Sequence, residues 1–122
     1  MKESEAANKK FQKELNAGTV SLILLSILAQ ADEPMYGYQI AKQVQARAKD
    51  IPMIKQGALY PVLRSLEKSG LLASTIEPSV AGPPRRYYSI TKTGRNTRST
   101  WVETWNRAKK FVDSIIKGND YE

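Results

Sequence analysis

Eight apolar side chains, Leu15, Val20, Leu22, Ile23, Leu24, Leu25, Ile27 and Leu28, crowd one short stretch, and wound as a helix they cover nearly its whole circumference. A helix that is apolar all round has to be buried on more than one side. The chain is 122 residues long, enough for one compact domain with its own core but not for a second, catalytic domain. In so small a domain a single helix is not easily surrounded by its own chain, so its second face is expected to meet a second subunit. The alternative is a central core helix in a monomer. A membrane span is not expected, because Val20 to Ala31 is interrupted by Ser21, Ser26 and Gln30 and falls short of the roughly 20 residues required.

The rest of the chain arranges itself around that helix, which is expected over about Glu14 to Ala31. Met1 to Lys13 are polar, with Lys9, Lys10 and Lys13 clustered, and read as an extension that frays. Asp32-Glu33-Pro34 breaks the helix, since a proline disfavours helical geometry in the residue before it. A second helix is expected from about Tyr36 to Ala48, with Ile40, Val44 and Ala48 as its buried stripe. A third is expected around Gln56 to Ser69, with Leu59, Leu63 and Leu66 facing inward and Gly70 as the stop. Leu71 to Ile76 and Arg86 to Ile90 read as paired strands joined by a proline-set turn. Thr91 can cap a last helix that runs to about Lys117, where Gly118-Asn119-Asp120 releases it. Three helices, a hairpin and a long closing helix make a mostly helical α+β winged helix-turn-helix. Its expected parts are a polar extension over 1–13, a DNA-binding domain over 14–91, a dimerisation helix over 92–117 and a polar tail over 118–122.

With no cysteine and no histidine, the chain lacks thiolate nucleophiles, disulfides, imidazole bases and nearly every transition-metal site. No paired-carboxylate or glycine-rich phosphate signature appears, so no enzyme, cofactor or metal is expected. The polar, acidic start Met1-Lys2-Glu3-Ser4-Glu5 is unlike a signal peptide, and a soluble cytoplasmic protein is expected. Nineteen Lys and Arg against twelve Asp and Glu give a net charge of +7, a balance that suits a polyanionic partner.

The third helix and the hairpin concentrate that charge. With the leucines inward, Gln56, Tyr60, Arg64 and Lys68 fall along the side and outer face of the third helix. Amide and guanidinium groups there can hydrogen-bond base edges while cations hold phosphates, although an ordinary solvated face has the same composition. Gly57 and Ala58 leave room for close approach to DNA beside Lys55. After the turn, Gly82-Pro83-Pro84-Arg85-Arg86-Tyr87-Tyr88 places two arginines and two tyrosines on alternating faces of a strand, so that Arg85 or Arg86 can reach phosphate or a minor groove while one tyrosine packs inward. Tyr36 and Tyr38 add phenols that can contact the duplex, with core packing as the alternative for Tyr38.

Three stretches carry a family resemblance. They are Tyr36-Gly37-Tyr38-Gln39-Ile40, the run from Gly57 to Leu72 that includes Gly57-Ala58-Leu59-Tyr60-Pro61, and the run from Gly82 to Thr91. In order and spacing they resemble the signature stretches of PadR transcriptional regulators, and with the flanking helices the likeness covers about residues 15 to 117. It implies a homodimer held by the first and last helices, a recognition helix carrying Tyr60, a wing carrying Arg85 and Arg86, and repression of a double-stranded DNA operator relieved by a small molecule. The single C-terminal helix is similar to the compact subfamily.

In that helix Trp101, Trp105, Ala108, Val112 and Ile115 recur at spacings of four and three, a seam suited to pairing across a dimer or to packing on the chain's own domain. The resemblance places Trp105 at the dimer axis, where two copies can sandwich a planar aromatic ligand between walls that include Leu15, Gly18 and Leu22. Lys109, one turn on, is expected to favour a neutral or anionic ligand. The alternative is that both tryptophans are plain dimer core. A winged helix used only for protein–protein contact is the rival to DNA binding, and it would be expected to carry larger apolar anchors than Arg64, Lys68, Arg85 and Arg86.

Overall fold

Apolar faces from three helices meet to form the core of the computed structural model, which describes residues 2–49 and 55–118. The helices are α1 (Lys2–Gln30), α2 (Gly37–Arg47) and α3 (Gln56–Lys68). From α1 come Val20, Leu24, Leu25, Ile27 and Leu28, from α2 Ile40, Ala41 and Val44, and from α3 Leu59, Leu63 and Leu66. Leu24, Leu25, Ile40, Leu59 and Leu63 are the largest side chains that are wholly buried, each contributing about 1.5–3 kcal/mol. Ala48, expected in the α2 stripe, is half-buried beyond the helix end, and Ala41 takes the place beside Ile40.

A three-stranded antiparallel sheet closes one side of this core, in the order β1 (Met35–Tyr36), β3 (Arg85–Ile90), β2 (Leu72–Glu77). The hairpin agrees with the sequence reading; β1 is an addition to it. This strand is two residues long, too short for any alternation to register, and it pairs Met35 with Tyr88 and Tyr36 with Tyr87. Across the hairpin Leu72 lies opposite Ile90 and Glu77 opposite Arg85. The turn between them includes Gly82 at φ +110°, a backbone conformation open to glycine.

α1 begins at Lys2 rather than near Glu14, so the polar residues 2–13 are the first turns of the same 29-residue helix. Glu3 and Glu5 complement the N-terminal end of its dipole. The Gln12 amide donates to Asn16 Oδ1 at 2.8 Å, one turn along.

The corner between α3 and β2 is stitched to the start of α4 (Lys92–Lys117). α3 ends in a Schellman motif, with Leu71 N donating to Leu66 O and Gly70 N to Glu67 O while Gly70 sits at φ +81°. Thr91 caps α4 by accepting from Gly94 N at 2.9 Å, and its hydroxyl donates to Gly70 O at 2.7 Å. A Cβ on Gly94 would run into Leu71 O, so this close approach requires glycine. α4 then runs antiparallel along α1, with Arg98 Nε donating to Ser26 Oγ at 2.8 Å and Arg95 to Ala29 O at 3.4 Å. The start of α4 is therefore anchored directly to the end of α3.

Candidate nucleic-acid interface

α3 presents Gly57, Ala58, Pro61, Arg64, Ser65 and Lys68 to solvent, opposite its buried leucines. Lys55, the residue before the helix, is exposed as well. Gln56 opens the helix, and its side chain lies outside the described residues. Tyr60, expected on the outer face, is half-buried against the core, and its ring fills the space where Gly37 lacks a Cβ. The phenol therefore ties α3 to the first turn of α2 and leaves the outer face to the cations.

The paired arginines of the wing have separate surroundings because they stand on opposite faces of β3. The Arg85 guanidinium lies over the Tyr36 ring, 4.4 Å from its centroid. Tyr87 meets the same ring edge-on at 5.4 Å, and Tyr38 stacks beside it at 6.5 Å. Lys42 Nζ is 5.4 Å from the centroid of Tyr38. The result is a ladder of cation, ring, ring, cation along β1 and the start of α2, and Tyr38 is exposed within it rather than packed in the core. Gln39 Oε1 accepts from Tyr36 N at 3.1 Å and holds the entry to α2.

Arg86 faces α3. Its Nη1 donates to Ser74 Oγ at 2.9 Å, and that hydroxyl donates to Glu67 Oε2 at 2.6 Å. A charge-assisted chain thus joins β3, β2 and α3 and fixes the wing against α3. Tyr88, on the same face as Arg86, is the inward tyrosine. Burial raises its phenol pKa above the usual tyrosine value; Arg86 opposes the shift, Glu67 adds to it, and Arg64 opposes it further. Sequence reasoning misses Ser74, Glu67 and Lys42, since nothing local marks a serine and a glutamate from different elements as partners. Pro84 is exposed at the end of the wing's turn, beside Arg85.

The expected ligand residues fall on the opposite part of the molecule. Leu15, Gly18, Leu22 and Trp105 line one groove of about 430 Å³ between α1 and α4, together with Trp101 and Ala108. Trp105 also lines a second groove, of about 480 Å³, whose far wall is Val44, Arg47 and Ala48 of the α2 end. Lys109 lines neither groove, so the charges nearest the site are Glu14 in the first and Arg47 in the second. Trp101, expected in the dimer seam, packs against the core of its own chain. Trp105, Val112 and Ile115 remain 41%, 51% and 63% exposed.

A helix-turn-helix with a wing, cationic on its outward side, is the architecture of a DNA-binding regulator. Residues 24–100 match the family of PadR-like transcriptional regulators. The chain belongs to that family. Among solved structures, a PadR family regulator from Eggerthella lenta is 29% identical with a TM-score of 0.80, covering 98% of this chain and 100% of its own. A transcriptional regulator from Clostridium thermocellum is 30% identical, TM-score 0.73, covering 82% and 92%. A PadR-like regulator from Bacillus cereus is 25% identical, TM-score 0.70, covering 87% and 99%. No curated protein matches the chain. The winged helix is followed by the long helix α4, and among the described residues no helix is long and apolar enough to cross a membrane.

Proposed function

We propose that this PadR-family chain is a sequence-specific repressor that binds double-stranded DNA as a homodimer and is released by a small planar aromatic compound. The observation that carries the DNA reading is the split of the wing arginines around α3. Arg86 is locked to Glu67 through Ser74, so the wing keeps a fixed distance from the exposed Arg64 and Lys68, while Arg85 rests on Tyr36 at the outer edge. A pre-ordered cationic surface of this kind binds phosphates on either side of a helix that enters the major groove.

The dimer reading rests on the apolar residues that the chain leaves open, Phe11, Leu15 and Ile23 on α1 and Trp105, Phe111, Val112, Ile115 and Ile116 on α4. In this reading two chains joined through these faces hold their copies of α3 about one duplex turn apart, roughly 34 Å, and the expected operator is an inverted repeat with half-site centres about 10 bp apart. Trp105 stands at that seam between two grooves, where a flat ligand can stack on it and change the angle between subunits.

Selection of bound duplexes from a randomised pool, followed by titration, tests the proposal. It is expected to return an inverted repeat bound at least about 1,000-fold more tightly than a scrambled duplex. Equal affinity for selected and scrambled DNA would overturn it.

A further inference from the structure

The N-terminal turns of α1 pass beside the beginning of α3, and between them is a concavity of about 1090 Å³ that lies apart from the wing and meets a tryptophan groove at Gln12 and Asn16. Lys9 and Lys13 of α1 and Lys55 before α3 stand along it, over a floor that includes Val20, Ala58 and Val62. Among the described residues no carboxylate lines it. The three lysines are exposed. The groove is continuous with the candidate DNA surface, because Lys55 and Ala58 belong to both. It also lies on the flank of α3 away from the wing. Ala58 and Val62 line it, whereas Tyr60 and Glu67, roughly half a turn round the helix, face α2 and the wing.

Two occupants suit an open groove of this shape, the backbone of the bound duplex or the uncovered end of α4 from a second copy. Charge decides between them. The end of α4 itself, residues 109–117, carries Lys109, Lys110 and Lys117 against Asp113 and would bring positive charge to three lysines, with Asp120 and Glu122 following beyond the helix. A phosphodiester strand brings negative charge, and its sugar faces can rest on the small apolar floor.

We propose that this groove is a second phosphate track, which holds the sugar–phosphate backbone on the side of the recognition helix that the wing does not reach. The inference rests on the DNA-binding reading and extends its footprint: wing on one flank, α3 in the centre, the lysines of α1 on the other. It also gives the polar first turns of α1 a role that the core does not supply.

The test is the double variant Lys9→Ala, Lys13→Ala. Both positions are exposed within a helix, and alanine is at least as good a helix former, so the fold is retained and circular dichroism checks it. Operator affinity is measured over a range of salt, alongside Arg85→Ala. The slope of log affinity against log salt is expected to fall by about 0.9 for each lysine removed, with the specific-to-nonspecific ratio unchanged and protection lost at the outer edges of the footprint. If Arg85→Ala lowers the slope and the double lysine variant does not, the track is absent while the DNA reading stands. A raised dimer dissociation constant with an unaltered slope would give the groove to the second copy and overturn the proposal. If the unmodified protein binds duplex DNA with no salt dependence, the underlying reading fails as well.

Discussion

α3 and α4 are both amphipathic helices of this small chain, yet they end in opposite conditions. α3 buries Leu59, Leu63 and Leu66, and the sheet and α2 lock it through Tyr60 and the Glu67–Ser74–Arg86 chain. Of the 26 residues of α4 only Gly94 is buried, and beyond Trp101 its apolar stripe faces outward. One helix has its partners within the chain; the other has the pattern of a buried helix without the burial. The apolar residues left open on α4 and α1 are the basis of the proposed association, and the corner at Thr91 and Gly94 links that face to the end of α3.

Truncation inside the closed region should have the largest effect. Leu63→Ala leaves a cavity among fully buried neighbours and should cost about 2–5 kcal/mol in urea unfolding. Ile115→Ala should instead leave intrinsic chain stability within about 0.5 kcal/mol and show itself in sedimentation as weaker self-association. A loss of chain stability at Ile115 equal to that at Leu63, with dimerisation unaltered, would break the comparison.

A ligand acting through the open region can shift DNA binding only by its preference between two subunit arrangements, commonly about 1–3 kcal/mol, so induction should weaken operator binding by about 5- to 150-fold. Trp101 lines the same groove, so the fluorescence readout belongs in a Trp101→Phe background, where Trp105 is the remaining tryptophan. Planar aromatic compounds should quench it and release DNA. Trp105→Ala should bind DNA and lose the response. A screen that leaves both signals unchanged removes the sensor from this face.

The wing arginines sharpen the contrast within the closed region. Arg85→Ala should lower the salt slope of binding by about 0.9, as one lost phosphate contact does. Arg86→Ala should lower it less and should reduce the specific-to-nonspecific ratio more, because Arg86 holds the wing in register with α3. Equal effects on slope and ratio would show that the two arginines act alike.

The smallest effect is a pH dependence. The Tyr88 phenol has a raised pKa in the fold, so above the unfolded value of 10.0 the unfolded chain releases its proton first. Stability should fall as pH rises through about 10, and Tyr88→Phe should flatten that limb of the denaturation profile. An unaltered limb would show that Tyr88 ionises alike in both states.

Much of this architecture is legible in the amino-acid sequence, and the reasons differ from part to part. Leu59, Leu63 and Leu66 declare α3 because a helix that packs on one side repeats at about 3.6 residues, and Thr91 and Gly70 declare helix ends because capping is local chemistry. β1 is invisible there because two residues carry no period. The extent of α1 is invisible too, since polar helix formers show no pattern when neither face is buried. The sites divide in the same way. Arg85 and Arg86 stand out as a pair, but their separate tasks depend on Tyr36 and Ser74, which belong to other strands. Counting along one helix puts Lys109 beside Trp105, whereas the groove is shaped by α1 as well and leaves that lysine outside it.

The central claim is that two copies of α3, each with its wing, read one symmetric operator. Hydroxyl-radical footprinting on the DNA upstream of the chain's own gene tests it most directly. The account predicts two protected half-sites related by a twofold axis, with centres about 10 bp apart. Protection spread evenly along the DNA, or a single protected half-site at saturating protein, would contradict it.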